Sequence, residues 1–240
     1  MIYSGYFSCF FKGENCQEHG ILIKKRPSIP APKRRITAVR IAGRDGELVL
    51  DDEIYDSIVI QVEFNFLAPK PELWGDIFRL AKNWLRGHGR LSFSDDPDWY
   101  WNCQYVQIDD TERTTKRLGN FVAEFHCEPY MHLLAGEDAV NPADSGWMLT
   151  NPYMLSHAVY TINGSGSGVL TVNGKEISFT SPGRLTIDTD RMLTFDPDTG
   201  TAARTSITGN YENAYLQPGI NQLQLTDGFS LSVIPAWRTL

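Results

Sequence analysis

The chain has 240 residues and a mass of 27.1 kDa, enough for one large domain or two small ones with a buried core. Its net charge of -7 and pI near 5.2 argue against wholesale nucleic-acid binding, and its 12% of aromatic residues excludes a disordered chain. No apolar run approaches the about 18 residues of a membrane span, and the start of the chain lacks the pattern of a secretory signal. We therefore expect a globular protein without membrane insertion that folds in a cytoplasm.

Charge is segregated in the first third of the chain. Residues 24–44 carry eight basic residues and no acid, whereas residues 45–63 carry seven acids and no base. Three prolines keep the middle of the basic stretch extended, which predicts a basic arm (24–44) between two strands.

The basic arm has three open interpretations. It is a solvated loop, or an arm that docks on an acidic patch of a neighbouring copy, or a nucleic-acid arm without the aromatic residues that base stacking uses. Blocks of opposite charge in one chain suit head-to-tail association. The candidate subunit-contact residues are Lys24, Lys25, Arg26, Lys33, Arg34, Arg35, Arg40, Arg44, Asp51, Asp52 and Glu53.

The elements that follow predict an α+β domain over residues 1–134. Apolar residues alternate over 57–66, which is typical of a half-buried strand. Residues 71–86 form the one convincing helix, with Pro71 at its first position, Gly87 at its end and a wide apolar face. Strands are predicted over residues 90–93, 102–108 and 118–127.

A second domain is predicted after a linker at residues 135–150. Residues 151–240 contain short β-rich runs separated by turns, which indicates an all-β sandwich or jelly roll. Asn173-Gly174 predicts a tight hairpin turn. The glycine-rich run at 163–168 is not followed by a helix, so we expect a flexible hairpin loop there and no phosphate site.

The sequence contains no recognisable catalytic constellation. The cysteines Cys9, Cys16, Cys103 and Cys127 form no C-x-x-C pair, so we expect four reduced and mostly buried thiols. Trp99, Tyr100 and Trp101 follow three aspartates, and we interpret this run as a turn, with glycan stacking or a metal as the alternatives. No catalytic residue, cofactor or metal is therefore predicted.

The order of several short motifs resembles the distal tail protein (Dit) family of phages with long non-contractile tails. In the first domain the resemblance rests on residues 11–15, on Gly43-Arg44-Asp45-Gly46, on residues 84–100 and on residues 119–130. In the second it rests on Ile187-Asp188, on residues 218–221 and on Pro235-Ala236-Trp237-Arg238.

The resemblance implies a structural virion protein that is not an enzyme. Such proteins form a homo-hexameric hub ring between the tail tube protein and the tail-tip and receptor-binding proteins, with a ring-forming first domain and a galectin-like second one. A contractile or bacteriocin-like tail hub stays open. The alternative function is a carbohydrate-binding module that uses Trp99, Tyr100 and Trp101 or the second sandwich.

Overall fold

The computed structural model describes residues 5–203 and 206–240, with the backbone alone for Asp52, Glu53, Asp144 and Ser145. The chain divides into two compact units, Met1–Met131 with Leu240, and His132–Thr239. The predicted fold class is confirmed, because the described residues are mainly antiparallel strands with a single α-helix.

The first unit is built around one antiparallel sheet. Its elements are β1 (Cys9–Phe11), β2 (Glu14–Asn15), β3 (Leu22–Ile23), β4 (Arg34–Val39), β5 (Leu48–Tyr55), β6 (Ile58–Leu67), α1 (Trp74–Leu85), β7 (Gly89–Phe93), β8 (Asp96–Ile108) and β9 (Leu118–Leu133). Seven strands lie in the order β2-β1-β7-β8-β9-β6-β3, whereas β4 and β5 pair only with each other among the described residues.

Alternation along β6 creates the core of this unit. As predicted, its inward side chains are buried, and they include Phe64 and Phe66. Helix α1 follows a 3-10 turn at Pro71–Leu73 and buries Ala81, Trp84 and Leu85 in the same core, which agrees with its predicted apolar face.

A lysine from another part of the chain caps helix α1. The Nζ of Lys12 donates hydrogen bonds to the carbonyl of Trp84 at 2.9 Å and to that of Arg86 at 2.5 Å. These bonds satisfy carbonyls that have no partner within the helix, and the positive charge suits the negative end of the helix dipole.

The second unit contains a branched antiparallel sheet. The strands of this unit are β10 (Met148–Asn151), β11 (Val159–Val172), β12 (Lys175–Asp188), β13 (Leu193–Phe195), β14 (Ile207–Thr208), β15 (Gly219–Leu225), β16 (Ser230–Ile234) and β17 (Arg238–Thr239), and all but β17 belong to this sheet. The order is β10-β15-β11-β12-β13, with β16 beside β11 and β14 beside β12. Strands β11 and β12 pair along their full length around the predicted Asn173-Gly174 turn.

The glycine-rich run is strand, and the prediction of a flexible hairpin loop is wrong. Residues 163–168 lie inside β11 and pair with β12. A Cβ at Gly164 would lie 2.6 Å from Phe229 Cδ1, and one at Gly168 would lie 2.7 Å from Phe179 Cζ. The glycines therefore let aromatic rings approach the strand closely.

The segment 135–150, expected as a linker, is built into the second unit. It carries 3-10 turns at Leu134–Glu137 and Pro142–Ser145 and strand β10, which pairs with β15. Val140 also exchanges two backbone hydrogen bonds with Val233, each 2.8 Å long. Main-chain pairing of this kind needs few apolar side chains, so the composition of the segment does not reveal it.

Candidate subunit-contact arm

The basic arm leads into a hairpin formed by β4 and β5, which we call the arm hairpin. Its register pairs Val39 with Leu48 and Thr37 with Leu50, with an irregularity between Arg34 and Ile36. Each described side chain of β4 is exposed, and the two strands form a sheet of their own. An isolated two-stranded hairpin is marginally stable in water, so such a hairpin gains stability from a surface that covers it.

Both faces of the arm hairpin present apolar side chains to solvent. Val39, Leu48 and Leu50 lie on one face and are 40%, 36% and 49% exposed. Ile36 and Val49 lie on the opposite face and are more than half exposed. Sequence reasoning missed these residues because the charges around them dominated the composition. The run Leu48-Val49-Leu50, apolar at consecutive strand positions, was the available signal.

The basic and acidic blocks pair with each other across the arm hairpin. Docking on a neighbouring copy is one of the three interpretations of the charge segregation, and the structure brings these charges together within one chain. The ion pairs are Arg34 with Asp51 (2.8 Å), Arg35 with Asp56 (3.0 Å) and Arg40 with Glu47 (2.9 Å).

The remaining candidate residues of the hairpin are placed by their backbone. The carbonyl of Lys33 accepts a hydrogen bond from the Asp56 N–H at 2.9 Å, which closes the base of the hairpin. The N–H of Arg44 donates to the Ile41 carbonyl at 3.2 Å in the connecting turn. The side chains of Asp52 and Glu53 lie outside the part of the chain that the structure describes.

The loop before the hairpin is held by three basic residues. Lys24 and Lys25 lie 3.5 Å and 2.6 Å from the carboxylate of Glu63, and the hydrogen bond from Lys25 is the main cause that lowers the pKa of Glu63. Arg26 forms an ion pair with Asp95, and its guanidinium lies 5.3 Å from the centre of the Phe7 ring. Residues 24–26, which we call the root of the arm, are therefore attached to the sheet of the first unit.

The aromatic run after the aspartates does not form a single stacking surface. Tyr100 and Trp101 are each only 6% exposed, and Trp99 is half-buried. Trp101 packs edge-on against Phe93 with ring centres 6.1 Å apart. It also lines a cavity of about 270 Å³ at the root of the arm, beside Arg26. The three rings therefore do not offer a sugar one continuous exposed face.

Candidate metal-binding clusters and membrane-spanning helices are absent from residues 5–203 and 206–240. No group of three or more His, Cys, Asp or Glu side chains in these ranges is placed to hold a metal ion. None of the helices described there is long and apolar enough to cross a bilayer. All four cysteines are free and buried, as predicted.

The second unit contains a cluster of polar and aromatic side chains around His157 that sequence reasoning missed. His157 Nδ1 lies 2.9 Å from Asp190 Oδ1, its Nε2 lies 3.1 Å from Arg238 Nη2, and its ring stacks on Tyr215 at 4.3 Å. Because Arg238 can only donate, Nε2 accepts and Nδ1 donates to Asp190, which lowers the pKa of Asp190. The four residues are distant in sequence, so no spacing pattern could have predicted the cluster. Their bonds to one another attach the segment around Arg238 to the rest of the second unit.

Comparison with known proteins identifies the architecture. No protein-family model matches the chain, and no curated protein matches it significantly. Among solved structures, the crystal structure of the Dit protein of phage SPP1 matches with a TM-score of 0.75 at 12% identity, covering 98% of this chain and 99% of that one. That protein is described as a paradigm of the hub adsorption apparatus in phages that infect Gram-positive bacteria.

A second solved structure shows the same fold at a greater distance. A chain in the structure of the phage P2 baseplate in its activated conformation with Ca matches with a TM-score of 0.51 at 8% identity. The match covers 98% of this chain and 97% of that chain. Identities this low establish the fold alone, and both units of the chain take part in the match. The chain therefore has the fold of a phage Dit hub protein.

Proposed function

We propose that this chain is a structural protein of a phage tail tip, without catalytic activity. Six copies form a hub ring that joins the tail tube to the host-adsorption apparatus. The observation that carries the proposal is the match to the SPP1 Dit protein over nearly the full length of both chains. The partners are then other copies of this chain, the tail tube protein and the tail-tip and receptor-binding proteins, in a virion assembled in the host cytoplasm.

The arm hairpin supplies a means of subunit contact in this proposal. In a closed ring each subunit meets its neighbour head to tail, so one subunit's arm meets a different surface of the next. Exposed apolar side chains on both faces of the arm hairpin suit such a contact, because they are covered only when a neighbour lies against them.

Mass in solution tests the ring directly. Light scattering across a range of concentrations, with negative-stain images of the same sample, is expected to show a six-fold ring with a central hole. The same series with added tail tube protein covers the case in which the ring closes only on a template. A monomer under all of these conditions, with and without the tube protein, would contradict the proposal.

Glycan binding is a second candidate function, and a groove in the second unit favours it. It has a volume of about 500 Å³ and is lined by hydroxyl-bearing side chains that include Ser178, Thr180 and Thr208. Hydroxyl groups both donate and accept hydrogen bonds, which suits sugar hydroxyls. Glycan-array binding that is lost in Thr208→Val would support this function, and an array without any bound glycan would refute it.

A further inference from the structure

Two buried cysteines face each other across the β1–β2 hairpin. The register pairs Phe10 with Asn15 and Phe11 with Glu14. Cys9 is the next residue of β1, and Cys16 directly follows β2 as the first residue of a 3-10 turn, so both lie at the open end of this hairpin. Opposed residues of antiparallel strands have Cα atoms about 4.5–5.5 Å apart. This separation lies within the range of about 4.4–6.8 Å that a disulfide spans.

A second pair of buried cysteines lies across the neighbouring strands β8 and β9. Strands β8 and β9 are neighbours in the sheet, and Asn102 Nδ2 donates a hydrogen bond to Glu128 Oε2 at 3.1 Å. Cys103 follows Asn102 and Cys127 precedes Glu128, so this bond joins the residues that adjoin the two cysteines. Both side chains belong to the same core as the first pair. The four thiols of the chain thus form two facing pairs.

The thiols of each pair also contact each other. The Cys9 thiol donates a hydrogen bond to the sulfur of Cys16, which lowers the pKa of Cys16. The Cys127 thiol does the same for Cys103, whose pKa is also lowered. One cysteine of each pair is therefore the more readily ionised nucleophile.

We propose that Cys9–Cys16 and Cys103–Cys127 are two sites of disulfide formation, with oxidised glutathione or a similar small disulfide as the oxidant. The thiolate of Cys16 attacks one glutathione sulfur, which breaks the glutathione disulfide and releases one glutathione thiolate. The thiolate of Cys9 then attacks the Cys16 sulfur and releases the second. Two protein thiols are oxidised, one glutathione disulfide is reduced to two thiols, and the two protons pass to the released glutathione.

The sheet order predicts which pair reacts first. Strands β2 and β1 lie at one edge of the sheet, whereas β8 and β9 lie between other strands. All four thiols are buried, so an oxidant reaches them only when the structure opens. Edge strands open by local fraying, and central strands open with the whole unit. We therefore expect Cys9–Cys16 to form faster than Cys103–Cys127. This inference is independent of the proposed function.

Peptide mapping of the intact chain tests both linkages. The protein is purified in reductant, exchanged into oxidised glutathione, sampled over time, alkylated in acid and digested with trypsin. Trypsin cleaves after Lys12, between the first two cysteines, and after Arg113, between the other two. Each disulfide therefore joins two different peptides, with the loss of two hydrogens. The Cys9–Cys16 species is expected first and the Cys103–Cys127 species later.

A single variant serves as the matched control. Cys16→Ser is expected to abolish the first linkage and to leave the rate of the second unchanged. Stable glutathione adducts without internal linkage, crosswise pairs such as Cys9–Cys103, or native thiols that stay reduced while urea-unfolded protein oxidises would each overturn the proposal. The wild-type time course decides the outcome even where the variant fails to fold.

Discussion

The apolar face of the arm hairpin gives the sharpest test of subunit contact. Fully burying a Val or Leu side chain contributes about 1.5–3 kcal/mol. Val39, Leu48 and Leu50 are 40%, 36% and 49% exposed. A neighbour that covers these exposed fractions therefore stabilises each subunit contact by about 2–4 kcal/mol. Replacing all three by Thr places β-branched side chains, which strands tolerate well, at these positions and removes most of this gain. Association is then expected to weaken about 30- to 700-fold per contact.

The assay for this triple variant is light scattering or sedimentation over a concentration series. The expected result is dissociation of the ring at concentrations where the wild type stays assembled, with unchanged circular dichroism of the subunit. Ile220→Thr is the matched control, because Ile220 is 71% exposed on a strand of the second unit and is not part of the arm hairpin. An unchanged association constant in the triple variant would refute the role of this face.

Three stability predictions test contacts inside the units. Tyr160→Phe is expected to lower the free energy of unfolding in urea by about 1–2 kcal/mol, because the buried hydroxyl donates to the Ala214 carbonyl at 2.7 Å. Gly168→Ala is expected to cost about 1–3 kcal/mol, because its Cβ would lie 2.7 Å from Phe179 Cζ. Asp190→Asn is expected to be less stable than wild type at neutral pH and to lose this difference in acid, because the pKa of the carboxyl is lowered on folding and its contribution disappears as pH falls through that pKa. For Tyr160→Phe and Gly168→Ala, an unfolding curve in urea that matches the wild type would contradict the contact concerned. For Asp190→Asn, curves that match the wild type at every pH would do so.

Local signals were sufficient to predict the main elements of the fold. Alternation located β6, the three-and-four spacing located α1, and Asn173-Gly174 located the tight turn of the second unit. In each case the residues that decide the structure are close together in the sequence. Their backbone preferences and their burial also favour the same conformation, so pattern and structure agree.

Elements that depend on distant residues could not be predicted. The glycine-rich run is a strand because Phe229, more than 60 residues away, packs against it. Residues around Val140 join the second unit through backbone bonds to β16, which leave no trace in side-chain pattern. The charge blocks were visible in the sequence, but their pairing within one hairpin depends on a turn and register that charges alone do not specify.

In the proposed ring, this internal pairing determines which force would drive association through the arm. A neighbour's acids compete with Asp51 and Glu47 for Arg34 and Arg40, which are already paired within the chain. Exchanging one exposed ion pair for another yields little, since each contributes about 0–1 kcal/mol. Covering Leu50 and its apolar neighbours has no such offsetting loss. Association through the arm should therefore depend weakly on sodium chloride and strengthen in sulfate, which favours apolar burial. Strong dissociation by moderate sodium chloride would instead assign the contact to charges.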